Sequence, residues 1–240
     1  MNLVIDIGNT LHKIAVFSND KMMYCQSFPA ISQKILASVF YVYPVEFSII
    51  SSVADSSAHV VDFLEKHTKV IQFSHQTQLP ISILYKNAET LGLDRIANAV
   101  GAATLFPNRN VLSIQAGTCL VLDFVNEKEE YLGGSISPGL TMRFETLHEK
   151  TKKLPLLREP NLPHSCLGMD TDESIISGVI NGICYEIDGF IEDYQKKFDD
   201  LVVLFTGGDA PCLQKSIKNT IFAASNIVLK GLNEIIKYNV

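Results

Sequence analysis

Basic residues never gather in this chain. Its 20 Lys and Arg are outnumbered by 26 Asp and Glu, the net charge is −6, and the densest basic stretch, Lys150–Lys153, is interrupted by Thr151. A duplex-binding protein normally carries a basic stripe that neutralises phosphates, so nucleic acid is not an expected partner. Cysteine is equally thin. Cys25, Cys119, Cys166, Cys184 and Cys212 are odd in number, far apart, and form neither a C-x-x-C pair nor a zinc spacing with the six histidines. Such thiols read as free and reduced in an intracellular protein. No two histidines stand four residues apart, and none is read as a metal ligand. Apolar runs stop short of a bilayer's thickness, and Met1-Asn2 leads into a strand-like segment without a basic, cleavable leader. The expectation is a soluble, cytoplasmic chain with no membrane attachment. Neither a G-x-x-x-x-G-K-S/T loop nor a G-x-S-x-G elbow occurs, so two common nucleotide and nucleophile signatures are missing.

What the sequence does have is one phrase stated twice. Leu3-Val4-Ile5-Asp6-Ile7-Gly8-Asn9-Thr10 returns, altered, as Leu112-Ser113-Ile114-Gln115-Ala116-Gly117-Thr118-Cys119. Each copy is an apolar strand, a polar residue, a Gly beside a small hydroxyl or amide, and a second apolar run at Ile14–Phe17 or Leu120–Val125. A turn of consecutive N–H groups makes an anion-binding concavity, and Gly lets it approach a ligand closely. Two such hairpins facing each other would hold a polyphosphate between two lobes. With 47% apolar residues in 240, two cores of ordinary size are available. The expected division is 1–109 and 110–240, with polar Asn108–Asn110 between.

The spacing predicts paired strands at 2–8 and 12–18, a buried strand at Phe47–Val53, a short helix at Ser56–His67, and strand-like pieces at Val70–Phe73 and Ile81–Tyr85. Asp94 stands before the helical face Ile96, Ala97, Val100, Ala103 and Leu105 as an expected N-cap. In the second half a strand pair covers 111–125, and Gly133-Gly134 and Pro138-Gly139 break the chain around Ser135–Ser137. Leu140–Glu149 reads as helix and Leu154–Pro163 as a proline-punctuated loop. Asp170-x-x-Glu173 has capping-box spacing before a stripe of Ile176, Val179, Ile180, Ile183, Ile187, Phe190 and Ile191. Val202–Phe205 reads as a strand delivering Thr206-Gly207-Gly208-Asp209, and Ala224–Tyr238 as a closing helix. Each half mixes a hairpin-led sheet with helices, an α/β arrangement.

Three constellations can carry chemistry, and each has an ordinary structural reading as well. Asp6 before Gly8-Asn9-Thr10 suits a carboxylate that meets phosphate through Mg²⁺, with Lys13 within reach as a point charge. It equally suits an Asx-Gly turn. Asp94-Arg95 after Gly92 suits a base that accepts a hydroxyl proton beside a cation holding a carboxylate or phosphate. It equally suits an N-cap with a solvated Arg. Thr206-Gly207-Gly208-Asp209 suits backbone lying against a flat ligand such as adenosine, or a plain strand-to-helix turn.

In this order the phrases resemble the type III pantothenate kinases. They are Asp6-x-Gly8-Asn9-Thr10, Gly92-x-Asp94-Arg95-x-x-Asn98, Ala116-Gly117-Thr118, Gly133-Gly134-x-Ile136-x-Pro138-Gly139, Leu147-x-x-x-Thr151-x-x-Leu154-Pro155, Ser177-Gly178 and Thr206-Gly207-Gly208-Asp209-Ala210. The resemblance implies a duplicated ribonuclease H-like, actin-like ATPase fold of two similar lobes with a cleft between them. It implies ATP-dependent phosphorylation of pantothenate, the first step of coenzyme A synthesis, with Mg²⁺ and a monovalent cation (K⁺ or NH₄⁺). Carried over, Asp6, Ile7, Gly8, Asn9, Thr10, Leu11, His12 and Lys13 would form the ATP phosphate loop, with Asp6 near Mg²⁺, and Thr118 would touch ATP. Asp94 would be the general base. Tyr85, Gly92, Leu93, Asp94, Arg95 and Thr171 would bind pantothenate, and a homodimer would place Thr171 near a neighbouring pocket. Gln115 stands where the family usually has an Asp that helps bind the monovalent cation. Two rivals follow from the same residues: a related carbohydrate or acetate kinase, and an actin-like regulatory ATP-binding protein without an acceptor.

Overall fold

The computed structural model describes residues 1–8, 11–52, 58–158 and 165–240. Its first sheet grows from the opening phrase. β1 (Asn2–Ile7) pairs antiparallel with β2 (His12–Ser18), which pairs antiparallel with β3 (Lys21–Phe28). After α1 (Gln33–Val42), β4 (Phe47–Ser52) joins the other edge of β1 in parallel. After α2 (Ala58–Glu65), β5 (Lys69–Gln72) extends it, for a strand order β3-β2-β1-β4-β5. A short pair, β6 (Ser82–Ile83), and a helix, α3 (Leu93–Leu105), follow.

Side-chain alternation assigns the two faces of β1. Leu3, Ile5 and Ile7 join Ile14 and Val16 in a core closed by Leu36 and Val39 of α1 and by Val60 and Leu64 of α2. Asn2, Val4 and Asp6 therefore share the opposite face. There the last helix, α7 (Ile227–Tyr238), packs on β1, β4 and α3. Asn233 of α7 accepts from Asn2 Nδ2 at 3.0 Å and donates to the Asn19 carbonyl at 3.0 Å, so its buried amide is used at both ends. α3 and α7 meet backbone to backbone, because a Cβ on Gly231 would run into the Ala97 carbonyl.

The second phrase repeats the plan. β7 (Val111–Ala116) pairs antiparallel with β8 (Cys119–Val125), β9 (Glu130–Pro138) lies beyond β8, and β10 (Val202–Thr206) joins β7 in parallel. β11 (Phe222–Ala223) extends β10 in parallel. The order β9-β8-β7-β10-β11 is that of β3-β2-β1-β4-β5, strand for strand. The helices here are α4 (Leu140–Glu149), α5 (Thr171–Gln195) and the single turn α6 (Ala210–Leu213). α5 lays Ile175, Val179, Ile180, Ile183, Ile187 and Ile191 against Leu112, Ile114, Leu120 and Leu122 of β7 and β8. Its start is fixed by a cap: Asp170 Oδ1 accepts from the Glu173 amide at 2.8 Å, and Glu173 Oε2 accepts from the Met169 amide at 2.8 Å. Among the described residues α5 is also the single helix long and apolar enough to cross a bilayer, contrary to the expectation that no segment is; half of that stretch is buried in this core.

Two compact units result. One is Met1–Pro107 with Glu129–Tyr131 and Asn226–Val240; the other is Asn108–Lys128 with Leu132–Ser225. The division differs from an expected break at 109/110, because α7 is the cover that the outer face of β1 requires. Residues 129–131 join the first unit because Glu130 and Tyr131 at the head of β9 pair in parallel with Ser82 and Ile83 of β6.

Other differences are local. α1 and β3 were not foreseen, although Ile35, Leu36, Val39 and Phe40 have helical spacing behind the N-cap Ser32. Gly133-Gly134 does not break the chain: Gly134 lies inside β9, where a Cβ would strike the Leu122 carbonyl of β8. The strand expected over 81–85 is only Ser82–Ile83, and the closing helix begins at Ile227 rather than Ala224. Val53, Ser56, Ser57 and residues 159–163 of the expected elements lie outside the described residues.

Candidate active site

Asp6 is the last polar residue of β1 before the hairpin turn, opposite Lys13 of β2 in the register. Burial raises its pKa from 3.8 to about 6, the nearby Lys13 ammonium pulls it down, and the Asp94 carboxylate pushes it up again. That coupling places Asp6 and Asp94 in one electrostatic neighbourhood, which the faces of β1 explain: Asp6 points to the side covered by α7, and α7 carries α3. Ile7 is buried, Gly8 and Lys13 are half-buried, and Leu11 is exposed. The buried His12 Nδ1 has no partner among the described residues. Asn9 and Thr10 lie outside the described residues.

Asp94 is not the N-cap. Gly92 holds that position without a side-chain cap, its carbonyl accepts from the amides of Arg95 and Ile96 at 3.1 Å each, and Asp94 sits exposed in the first turn of α3. A carboxylate there is favoured by the helix dipole and stays open to an incoming hydroxyl. The segment before Gly92 is tied down from outside: the His75 ring Nε2–H donates to the Leu91 carbonyl at 2.8 Å. Arg95 is not solvated either. It is buried, with its guanidinium carbon 5.9 Å from the ring centres of both Tyr85 and Tyr131. His75 and Tyr131 stand in no motif, so spacing gave no signal for either.

In the second unit three expected phrases converge. Gly207, at φ +107°, brings its backbone against Ala116, where any side chain would collide, and the Asp209 amide donates to the Ala116 carbonyl at 3.0 Å. The Gly139 amide donates to the Thr118 carbonyl at 3.3 Å. Thr118 is exposed at the tip of the hairpin, and Gln115, three residues earlier in β7, is half-buried. Thr171, first residue of α5, lines a groove of about 930 Å³ with Arg143, Leu147, Met169, Ile175 and Val179. Arg143 is fixed by an ion pair with Glu186 and by donating from Nε to the Pro138 carbonyl at 2.8 Å. The expected residues thus fall into a first-unit group (Asp6 to Lys13, Tyr85, Gly92 to Arg95) and a second-unit group (Gln115, Thr118, Thr171).

Among the described residues no three His, Cys, Asp or Glu side chains cluster as a metal cage. Mg²⁺ is usually held by one or two carboxylates together with substrate phosphates. Asp6, desolvated and repelled by Asp94, is a carboxylate whose ionised form such a cation would favour. Gln115 offers a monovalent cation a neutral amide oxygen, a weaker ligand than a carboxylate.

Paired hairpin-led sheets of one topology, each beginning at a glycine turn, define a duplicated actin-like ATPase and sugar-kinase fold. Solved structures agree. A Campylobacter jejuni protein assigned to the Baf family of transcriptional activators superposes with a TM-score of 0.63 at 20% identity, covering 99% of this chain and 98% of that one. A Listeria monocytogenes protein assigned as an N-acetylmannosamine kinase superposes with a TM-score of 0.53 at 12% identity, covering 100% and 99%. The sequence itself goes further. The family model described as type III pantothenate kinase matches residues 2–193. Type III pantothenate kinases from Flavobacterium johnsoniae and Cytophaga hutchinsonii are 41% and 46% identical over 242 residues, each covering 100% of this chain and 99% and 100% of the relative. The chain belongs to the type III pantothenate kinase family.

Proposed function

We propose that the chain transfers the γ-phosphoryl group of ATP to the primary hydroxyl of pantothenate, the first step of coenzyme A synthesis, with Asp94 as general base. Family membership supports the reaction, and the exposed place of Asp94 in the first turn of α3, next to Arg95, supports its assignment as the base. Phosphoryl transfer is mostly positioning and charge neutralisation. The hairpin from Asp6 to Lys13 offers backbone N–H groups and one ammonium to the ATP phosphates, and Thr118 offers a hydroxyl. Asp94, open to solvent at the start of α3, accepts the acceptor's hydroxyl proton as the oxygen attacks phosphorus. Arg95, beside Tyr85, holds the pantothenate carboxylate by a charge-assisted pair. Gly92 and Leu93 shape the acceptor loop, and Thr171 contributes from the head of α5. Mg²⁺ bound with Asp6 and the phosphates would neutralise charge on the transferring group.

We assign a cytoplasmic homodimer with the Thr171 groove near the shared surface. That groove has exposed apolar side chains close by, Leu167 and Met169, which a second subunit would cover. A monovalent cation, K⁺ or NH₄⁺, would meet at Gln115 a neutral amide oxygen, a weaker ligand than a carboxylate, so it would be held loosely or by another oxygen donor. Titrating KCl in a sodium buffer tests this: strong saturable activation would show that the site survives, and a flat response that the chain dispenses with the ion. A coupled ADP-release assay with and without pantothenate tests the reaction. Release that requires pantothenate is expected, and equal release without it would favour an ATPase with no acceptor.

A further inference from the structure

A guanidinium stripped of water is costly unless its surroundings replace that water. Arg95 is 7% exposed, and two tyrosine rings are each centred 5.9 Å from its guanidinium carbon. The rings themselves lie 5.9 Å apart at 54°. Tyr85 is half-buried and close in sequence to Arg95; Tyr131 is fully buried and thirty-six positions distant. Tyr131 is brought there by pairing of β9 with β6: the Leu84 amide donates to the Tyr131 carbonyl at 2.9 Å and the Ser82 amide to the Glu129 carbonyl at 3.0 Å. This three-residue graft, 129–131, is what assigns part of β9 to the first unit.

We infer that Tyr131 is the positioning residue that sets the enzyme's preference for a carboxylate-bearing acceptor: its ring, in contact with that of Tyr85, backs the Arg95 guanidinium in a three-way cluster and holds it in one orientation. The negative face of a ring attracts a cation placed over it, more strongly where water is excluded. A guanidinium so held keeps its planar fork of donors in one orientation and loses less freedom when a carboxylate arrives. Lys in its place would be a hydrated point charge without that fixed fork. The inference rests on the reading of Arg95 as the partner of the acceptor carboxylate.

The test compares pantothenate with pantothenol, in which a hydroxymethyl group replaces the carboxylate, in the full-length enzyme. Tyr131→Leu is expected to raise the KM for pantothenate about 10-fold, within the range of a desolvated cation–aromatic contact. The KM for ATP, the KM for pantothenol and kcat should stay within about 3-fold on the same scale. The preference for pantothenate over pantothenol therefore falls by about 10-fold, and Tyr131→Phe, which keeps the ring, restores it. Because Tyr131 is a core residue, a graded series at the same position carries the test if Tyr131→Leu fails to fold. Phenylalanine with increasing ring fluorination keeps the shape while emptying the face of negative charge, and the preference should fall stepwise along it. A flat series, or a loss in Tyr131→Phe as large as in Tyr131→Leu, overturns the role of the ring. Arg95→Gln separates the two readings: if it leaves the preference intact, Arg95 does not meet the carboxylate, whatever Tyr131 does.

Discussion

Asp94 and Asp6 are neighbours in charge but not in solvent. Asp94 is exposed, which suits a group that must meet a substrate hydroxyl. Replacing it with Asn keeps size and hydrogen bonding but removes the proton acceptor, so kcat should fall by about 10²-fold or more, the usual scale for a general base. A near-normal kcat in steady-state assays would take Asp94 out of the role. Asp6 titrates at about 6 against 3.8 for an ordinary Asp. Between those values the folded chain holds a proton that the unfolded chain has released, so stability falls as pH rises through that window and levels off above it. Lys13 and Asp94 are the charged groups that act on it. Asp6→Asn should remove this contribution. The difference in urea midpoint between variant and parent is then expected to grow in the variant's favour from pH 4 to pH 6, and to be constant above. Activity should be lost in the same variant, a trade of function for stability. An identical slope in both proteins would show that Asp6 titrates normally.

At the scale of elements, two contacts invite direct tests. α3 and α7 touch through backbone at Gly231 and Ala97. Gly231→Val must part the helices, and overpacking of this kind costs about 1–3 kcal/mol. For a chain of this size each kcal/mol shifts Tm by about 2–4 °C, so calorimetry should record a clear drop; an unchanged Tm would mean that the helices have slack. In the second unit Gly207→Ala forces a side chain onto a left-handed residue pressed against Ala116. The expected outcome is a raised KM for ATP, with the KM for pantothenate little changed. The elements themselves were legible where periodicity was strong: β1, β2, β7, β8, β10, α3, α5 and the capping box of α5 lie where spacing puts them. Short or irregular ones were not. β9 reads as broken because its glycines are there to pass close over β8, and Asp94 reads as a cap because nothing local shows that Gly92 already ends the preceding turn.

At the scale of the molecule, the closing helix is structurally part of the beginning. Ending the chain before Asn226 would uncover β1, β4 and α3, whose apolar side chains α7 now buries through Leu229, Leu232, Ile235 and Ile236. Such a truncation should leave the first unit without a cooperative transition, read by circular dichroism and rapid proteolysis of residues 1–107; a sharp melt of both units would contradict it.

The sequence by itself determined the duplication, the hairpin turns and the order of the phrases, because these are local: a period of two, a glycine, a neighbouring hydroxyl. It therefore also determined the family. Only the tertiary structure decided that Asp6 and Asp94 feel each other's charge, that Arg95 is buried rather than solvated, that Tyr131 stands beside Arg95 and His75 beside Leu91, and that α7 packs on α3. Those facts depend on which face of β1 is covered and on which distant strand pairs with β6. Spacing along a chain cannot encode them, since desolvation and charge act through space.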